Sequence, residues 1–336
     1  MRIVIPMAGR GSRLRPHTLT VPKPLIPIAG KPMVQRIVEE LTSAYAGQIE
    51  EIAFIIGDFG AQVEADLQEV ATALNTKCSI YHQHEPLGTA HAILCAAERL
   101  LQGPCIVAFA DTLFQADFQF DDQADSVIWV KKVEDPSAYG VVTTNAAHEV
   151  LQFVEKSPVF VSDMAIVGIY YFRDGVRLKK ELQFLIDNNI KEKGEFQLTT
   201  ALENMKAAGV KFKAAMIDEW LDCGNKEHVL HTNKRILEIK QPQEELISKD
   251  AIIESSVIIP PCYIGPGTLV RNSVVGPYVS IGSNSKVENT VIKNSLVQEE
   301  SVINGGHFDD SMIGNKVVYQ RKFEELSIGD YTTYTT

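Results

Sequence analysis

The chain has 336 residues, 45% hydrophobic and 22% charged, the balance of a packed globular protein and not of a disordered one. Its net charge of −11 disfavours nucleic acid and anionic lipid as partners. Its longest apolar runs fall well short of the ~20 residues that cross a bilayer, so no membrane partner is expected.

At roughly 150 residues per domain the length predicts two domains. The first residues enter a strand-like run at once and show no secretory leader. The cysteines Cys78, Cys95, Cys105, Cys223 and Cys262 are scattered, odd in number and without C-x-x-C spacing. They argue against a disulfide framework or a zinc site and imply reduced thiols in a cytoplasmic protein. The charge is unevenly placed. Residues 1–38 hold seven basic side chains (Arg2, Arg10, Arg13, Arg15, Lys23, Lys31 and Arg36) and no acidic one, whereas the remainder holds 25 basic against 43 acidic. A cationic first segment on an acidic protein, interrupted by glycines, points to a local site for a small anion.

In chain order, Arg2 to Pro6, Ile52 to Ile56, Ser79 to His82, Cys105 to Ala110 and Val127 to Val130 read as strands. Val34 to Tyr45, Ala61 to Leu74 and Thr89 to Leu101 read as helices. The alternation predicts a Rossmann-like, mostly parallel mixed sheet flanked by helices, with ligands at the carboxyl ends of its strands. Two turns suited to anions fall there: Met7 to Arg15, which includes Ala8, and Asp111 after the fourth strand. Lys226 to Lys240 reads as a further helix, closed by Pro242.

Beyond Pro242 the pattern changes. Glu254 to Ile258, Arg271 to Val275 and Glu288 to Ile292 repeat every 17 residues, and Ile264, Val270, Val275 and Ile281 are spaced by six, five and six. One inward aliphatic per short strand and three strands per coil predict a triangular solenoid of the hexapeptide type. The predicted domains are residues 1–241 and 250–336, with an irregular cap from residue 304. Solenoid flanks commonly pack on copies of themselves, so a homo-oligomer is expected.

The first turn reads Gly9-Arg10-Gly11-Ser12-Arg13-Leu14-Arg15-Pro16, followed by Thr18 and Pro22-Lys23-Pro24-Leu25-Ile26-Pro27. Gly9 and Gly11 let backbone N–H groups approach phosphate. Arg13 offers a fork of donors and Lys23 a point charge, held by prolines on either side. Leu14 breaks the dinucleotide fingerprint, and no G-K-[ST] of a P-loop occurs.

This string resembles the signature of the sugar-1-phosphate nucleotidyltransferases, and the resemblance runs through residues 1–240. Gln83 to Ala92 resembles the family's base-recognition segment, and Phe109-Ala110-Asp111-Thr112 its metal motif with Ala110 in place of glycine. Tyr139-Gly140, Glu155-Lys156, Gly168 and Glu195 to Thr199 are similar to its sugar-side motifs, and Trp220 to Gly224 to its second metal-binding segment. Several branches of the family also carry a left-handed parallel β-helix at the C-terminus.

The resemblance implies transfer of a nucleotidyl group from a nucleoside triphosphate to a sugar 1-phosphate, with release of pyrophosphate. Ala8, Gly9, Gly11, Ser12 and Arg13 would hold the triphosphate, and Gln83, Gly88 and Thr89 the base. Lys23 would neutralise the α-phosphate or the sugar phosphate. Asp111 and Asp222 would hold Mg²⁺, and Lys156 would grip the sugar phosphate. Gly140, Glu155, Gly168 and Glu195 would line the sugar side. Gln83 suits the N3–H edge of a pyrimidine, so UTP or dTTP with glucose 1-phosphate is expected. A guanylyltransferase acting on mannose 1-phosphate shares part of this pattern.

Two further classes compete. A second, hexapeptide acyltransferase activity would need a histidine base, and His307 is the one histidine after residue 250. A non-catalytic nucleotide-sugar sensor would not need two aspartates placed for a metal. His82 and His84 lack a third ligand for a metal site. His228 and His231 are expected on a helix surface, and Cys223 as a buried neutral thiol.

Overall fold

The computed structural model describes residues 1–9, 11–115, 121, 123–322, 325, 327–331 and 333. The chain divides into two compact units, Met1–Ile26 with Lys31–Val229, and Pro27–Gly30 with Leu230–Thr336. Residues 1–241 were expected to form one domain, but the division falls at 229/230. The reason is visible at Asn233, whose Oδ1 accepts from the Ala29 amide at 2.9 Å and the Ser280 hydroxyl at 2.7 Å, tying later helical residues into the second unit.

The chain begins with β1 (Arg2–Pro6), two short strands β2 (Pro27–Ile28) and β3 (Lys31–Pro32), and α1 (Met33–Ala44). Then come β4 (Glu51–Ile56), α2 (Ala61–Ala73), β5 (Lys77–His82), α3 (Thr89–Leu94), α4 (Ala97–Leu100), β6 (Cys105–Ala108) and β7 (Thr112–Gln115). The unit continues through β8 (Ser126–Lys132), β9 (Gly140–Thr144), β10 (Val150–Glu155), β11 (Met164–Phe172), α5 (Gly175–Asp187), α6 (Leu198–Ala207), β12 (Phe212–Met216) and β13 (Glu219–Asp222). The helix α7 (Lys226–Lys240) lies across the division.

The main sheet runs β10-β9-β11-β6-β1-β4-β5, with β8 also on β11 and β12 on β8. Its β6-β1-β4-β5 portion is parallel, and β11 pairs antiparallel with β6 and β8. Every residue of β4 is buried, as expected for a strand covered on both faces. Helix α1 buries Val34, Ile37, Val38 and Leu41 at positions i, i+3, i+4 and i+7, a single apolar face. Helix α5 starts on Asp174, whose side chain accepts from the Arg177 amide at 3.1 Å.

Two expected elements differ. The helix predicted over Thr89 to Leu101 is two helices. The Cys95 amide is shared between the His91 and Ala92 carbonyls, and Ala96 bonds three residues back to Ile93, so the chain tightens there. The apolar period survives the break, with Ile93, Ala96, Ala97 and Leu100 all buried. The strand predicted to reach Ala110 ends at Ala108, which puts Phe109 to Asp111 in the turn.

The second unit stacks short strands in three parallel rows. The first row is β14 (Ile252–Glu254), β17 (Leu269–Arg271), the start of β20 (Lys286–Ile292), β22 (Val302–Phe308) and β24 (Val318–Gln320). The second is β15 (Val257–Ile258), β18 (Val274–Val275) and the end of β20, and the third is β16 (Cys262–Ile264), β19 (Val279–Ile281), β21 (Leu296–Val297) and β23 (Met312–Ile313). Ile264, Val270, Val275, Ile281, Val287, Ile292 and Ile303 line its core, each fully buried.

The stack extends through residue 320, beyond the point where the sequence repeat fades. Early partners lie 17 residues apart, as in Val274 with Val291, and later ones 16, as in Lys286 with Val302. The lost residue lies at one corner. Ile259-Pro260-Pro261 and Gly276-Pro277-Tyr278 fill the first two, but only Lys293 and Asn294 separate Ile292 from Ser295, the counterpart of Val279. A change of period hides the later coils from a fixed-period reading. At another corner hydroxyls stack: Ser256 Oγ accepts from the Ser273 amide at 3.0 Å, and Ser273 Oγ from the Thr290 amide at 3.1 Å. Phe323, Glu324, Leu326, Thr332 and residues 334–336 of the expected cap lie outside the described residues.

Candidate active site

Strand β1 delivers the chain to Met7, after which half-buried Ala8 and exposed Gly9 begin the glycine turn. Arg10 lies outside the described residues. Gly11 has φ of +62°, and a Cβ built there would stand 2.7 Å from Lys23 Cβ. Glycine is therefore required both by conformation and by space. Thr18 Oγ1 donates to the Gly11 carbonyl at 2.8 Å and ties the returning chain to the turn. Ser12 and Arg13, in the short helical turn that follows, are exposed.

Lys23 is buried, and its ammonium donates to the Asp111 carbonyl at 3.2 Å and lies 3.7 Å from an Asp111 carboxylate oxygen. A buried ammonium needs such partners, and they fix where its charge points. Asp111 leads into β7, which pairs antiparallel with β13 so that Asp222 stands opposite Thr112. The Cys223 amide donates to the Asp111 carbonyl at 3.2 Å, closing the same joint. Sequence positions 111 and 222 are thereby neighbours in register. Cys223 is fully buried, as expected.

Two aromatics cover this joint. Tyr139 and Trp220 meet edge to face at 4.8 Å, and the Trp220 indole N–H donates to Thr112 Oγ1. Burial raises the Tyr139 phenol above its ordinary pKa; Asp222 adds to the rise, Arg13 opposes it, and Asp111 adds a smaller push. Deeper in, burial raises the Tyr170 phenol, and the charges of Glu155 and Asp111 raise it further.

The residues expected on the sugar side form a second cluster. Thr199 Oγ1 donates to Glu155 Oε2 at 3.0 Å, and a Cβ on Gly140 would come within 3.2 Å of that oxygen. Lys156 is exposed, with its ammonium 3.6 Å from Glu155 Oε1. The Gly168 carbonyl accepts from the Phe109 amide at 3.0 Å, at the irregularity in β11 between Ile166 and Tyr170, and so braces the turn that leads to Asp111.

The residues expected around the base form a third cluster. Gln83 Nε2 donates to the Gly88 carbonyl at 3.1 Å and sits 3.0 Å from His91 Nδ1. Gly88 has φ of +117°, and a Cβ there would lie 2.5 Å from the Phe196 carbonyl. Thr89 Oγ1 donates to Gln197 Oε1 at 3.3 Å and accepts from the Leu198 amide at 2.9 Å. Because Thr199 holds Glu155, the start of α6 links these two clusters. Glu195, expected with Glu155 on the sugar side, stands beside Gly88 and accepts from Gln197 Nε2 at 3.2 Å.

Sequence reasoning missed two partners. His228, expected as a simple helix-surface residue, is exposed but its Nδ1 hydrogen-bonds Asp222 Oδ2. His91 lies within the segment Gln83 to Ala92 but carries no role of its own in the sequence pattern. Each contacts a residue singled out for a role, and side-chain contacts across a turn leave no periodic signal. His82 and His84 stack at 5.7 Å but pair separately, with Glu64 and Asp58.

The family described as nucleotidyl transferase matches residues 3–239. Glucose-1-phosphate thymidylyltransferase of Streptomyces griseus is 27% identical, over 94% of this chain and 93% of its own length. Mannose-1-phosphate guanylyltransferase catalytic subunit beta of Xenopus tropicalis is 29% identical, over 84% of this chain and 74% of its own. Among solved structures, UDP-glucose pyrophosphorylase complexed with UDP-glucose superposes with a TM-score of 0.59 at 23% identity, covering 71% of this chain and 98% of that one; this likeness is one of fold. The match across residues 3–239 takes in the glycine turn, Lys23 and both aspartates, so the chain belongs to the nucleotidyl transferase family and is an enzyme of nucleotidyl transfer.

Proposed function

We propose that this enzyme joins a nucleoside triphosphate, UTP or dTTP, to a sugar 1-phosphate, with glucose 1-phosphate the favoured acceptor, giving a nucleotide sugar and pyrophosphate. The observation that carries the reading is the contact of Lys23 with Asp111 at the β7–β13 pairing, which brings Asp222 alongside, with the glycine turn packed on Lys23 through Gly11.

A phosphate oxygen of the sugar 1-phosphate attacks the α-phosphorus. A new P–O bond forms as the bond to the bridging oxygen breaks, and pyrophosphate departs with the electron pair. Both reactants are anions and charge grows on the leaving oxygen, so fixed cations lower the barrier. Lys23 suits the α-phosphate because its ammonium is buried and already oriented by Asp111. Arg13 offers its donors from an exposed turn to the outer phosphates. Glu155, steadied by Thr199, accepts from sugar hydroxyls, and Lys156 beside it meets the sugar phosphate. No general base is required, since the nucleophile is already anionic.

The donor set fits magnesium. Asp111 and Asp222 contribute hard carboxylate oxygens at neighbouring register positions, and this metal is commonly held by one or two carboxylates plus substrate phosphates. In the loaded site the triphosphate's own oxygens would complete the set. When bound, the ion supplies charge neutralisation. The thymidylyltransferase likeness over 94% of the chain supports the substrate choice. The guanylyltransferase likeness supports mannose 1-phosphate with GTP as a second reading.

The reading extends to the second unit as a left-handed β-helix, supported by its three parallel rows, and to self-association through it. The exposed Ile252, Val257 and Val291 support association, and light scattering tests it. Five scattered cysteines, odd in number and without C-x-x-C spacing, support a cytoplasmic setting. Among the described residues no helix is long and apolar enough to cross a membrane. The decisive experiment is a matrix of nucleoside triphosphates against sugar 1-phosphates, with and without Mg²⁺, scored by pyrophosphate. UTP or dTTP with glucose 1-phosphate should lead; release from GTP and mannose 1-phosphate alone would replace it with the second reading.

A further inference from the structure

Gln83 carries an amide whose two ends differ chemically, and the surrounding groups decide which end faces the base. The Gly88 carbonyl, 3.1 Å away, can only accept, so the atom that meets it must be the amide nitrogen. That same nitrogen stands 3.0 Å from His91 Nδ1. A nitrogen that donates to Gly88 and to His91 requires an unprotonated Nδ1, hence the tautomer with its proton on Nε2. With both donors taken inward, Gln83 Oε1 is the end left over, and it has no hydrogen-bond partner among the described residues.

We propose that His91 is a positioning residue for base selection: it locks the Gln83 amide so that only a carbonyl oxygen is offered to the nucleotide, which selects bases carrying a ring N–H and turns away cytosine. This rests on the assignment of UTP or dTTP as donor substrate. Uracil and thymine present N3–H, which Oε1 accepts. Cytosine presents a bare N3 lone pair, which repels it. A site whose polar group is left facing a like partner discriminates more strongly than one that merely lacks a methyl group. Partial burial lowers the proton affinity of the His91 imidazole, with Glu85 opposing, which agrees with the neutral ring the geometry demands. His91 itself lies in the first turn of α3 and is half-buried, so its influence passes through Gln83.

The test compares kcat/KM for UTP and CTP with glucose 1-phosphate. His91→Phe keeps a flat ring but removes the acceptor, freeing the Gln83 amide to rotate. The UTP/CTP ratio is expected to fall about tenfold or more, while the KM for glucose 1-phosphate and the melting temperature hold. His91→Asn, which can place an oxygen near the lost Nδ1, should recover part of the ratio. An unchanged ratio in an active, folded His91→Phe enzyme overturns the role of His91 and leaves the substrate assignment standing. A wild-type enzyme that turns over neither UTP nor dTTP overturns both. If His91→Phe fails to fold, His91→Leu removes the same acceptor and is read in the same way: a UTP/CTP ratio that falls supports the lock, and a ratio that stays at the wild-type value overturns it.

Discussion

The two units solve the problem of burying a chain in opposite ways. In the first, strands adjacent in the sheet come from remote parts of the sequence: β1 lies between β4 and β6, and β7 meets β13 across 103 or more intervening residues. In the second, every strand finds its partner 16 or 17 residues on. Long-range pairing is what brings Asp111 to Asp222. The stack has no such junction and repeats one apolar interior. Chemistry that needs unlike groups at one point suits the first arrangement, and a regular surface suits the second.

That contrast can be tested by breaking each unit where it is most specific. The largest effect is expected at the joint. Asp111→Asn or Arg13→Ala should lower turnover by about 10²–10³, with melting nearly unchanged, because both side chains are largely exposed. A melting loss that matched the activity loss would mean that the joint is structural. Next comes Ile281→Ala in the fully buried stack interior, expected to cost about 2–5 kcal/mol of stability, read by denaturant unfolding, with kcat/KM retained in the folded fraction. Ser273→Ala should cost about 1–3 kcal/mol, since it leaves the Thr290 amide without its acceptor. The smallest change is expected for Arg271→Ala. Its guanidinium bridges Glu254 and Glu288 on the solvent side of the stack, and thermal melting should not move.

Much of this was legible beforehand. Strands β1, β4, β5, β6 and β8 and helices α1, α2 and α7 announce themselves by period, and the stack core by the spacing of Ile264, Val270, Val275 and Ile281. The glycine turn is readable because Gly11 and Lys23 obey local chemistry. What period cannot carry is contact between distant segments. The pairing of β7 with β13 has no signature in either four-residue strand, so the nearness of residues 111 and 222 was available only through resemblance. Likewise the contacts His91 to Gln83 and His228 to Asp222 are short-range in space but fall on otherwise ordinary helical positions. The break between α3 and α4 is invisible because burial continues through it, and the later coils are obscured by the missing corner residue.

The stacked hydroxyls have one more consequence. Because the Ser256 and Ser273 hydroxyls each accept from the coil beside them, the same rule for adding a turn is used twice in succession. Whole turns could be gained or lost at the far end without rewriting those already laid down, so the length of this part is free to drift between lineages, while the count of strands around the aspartates is not.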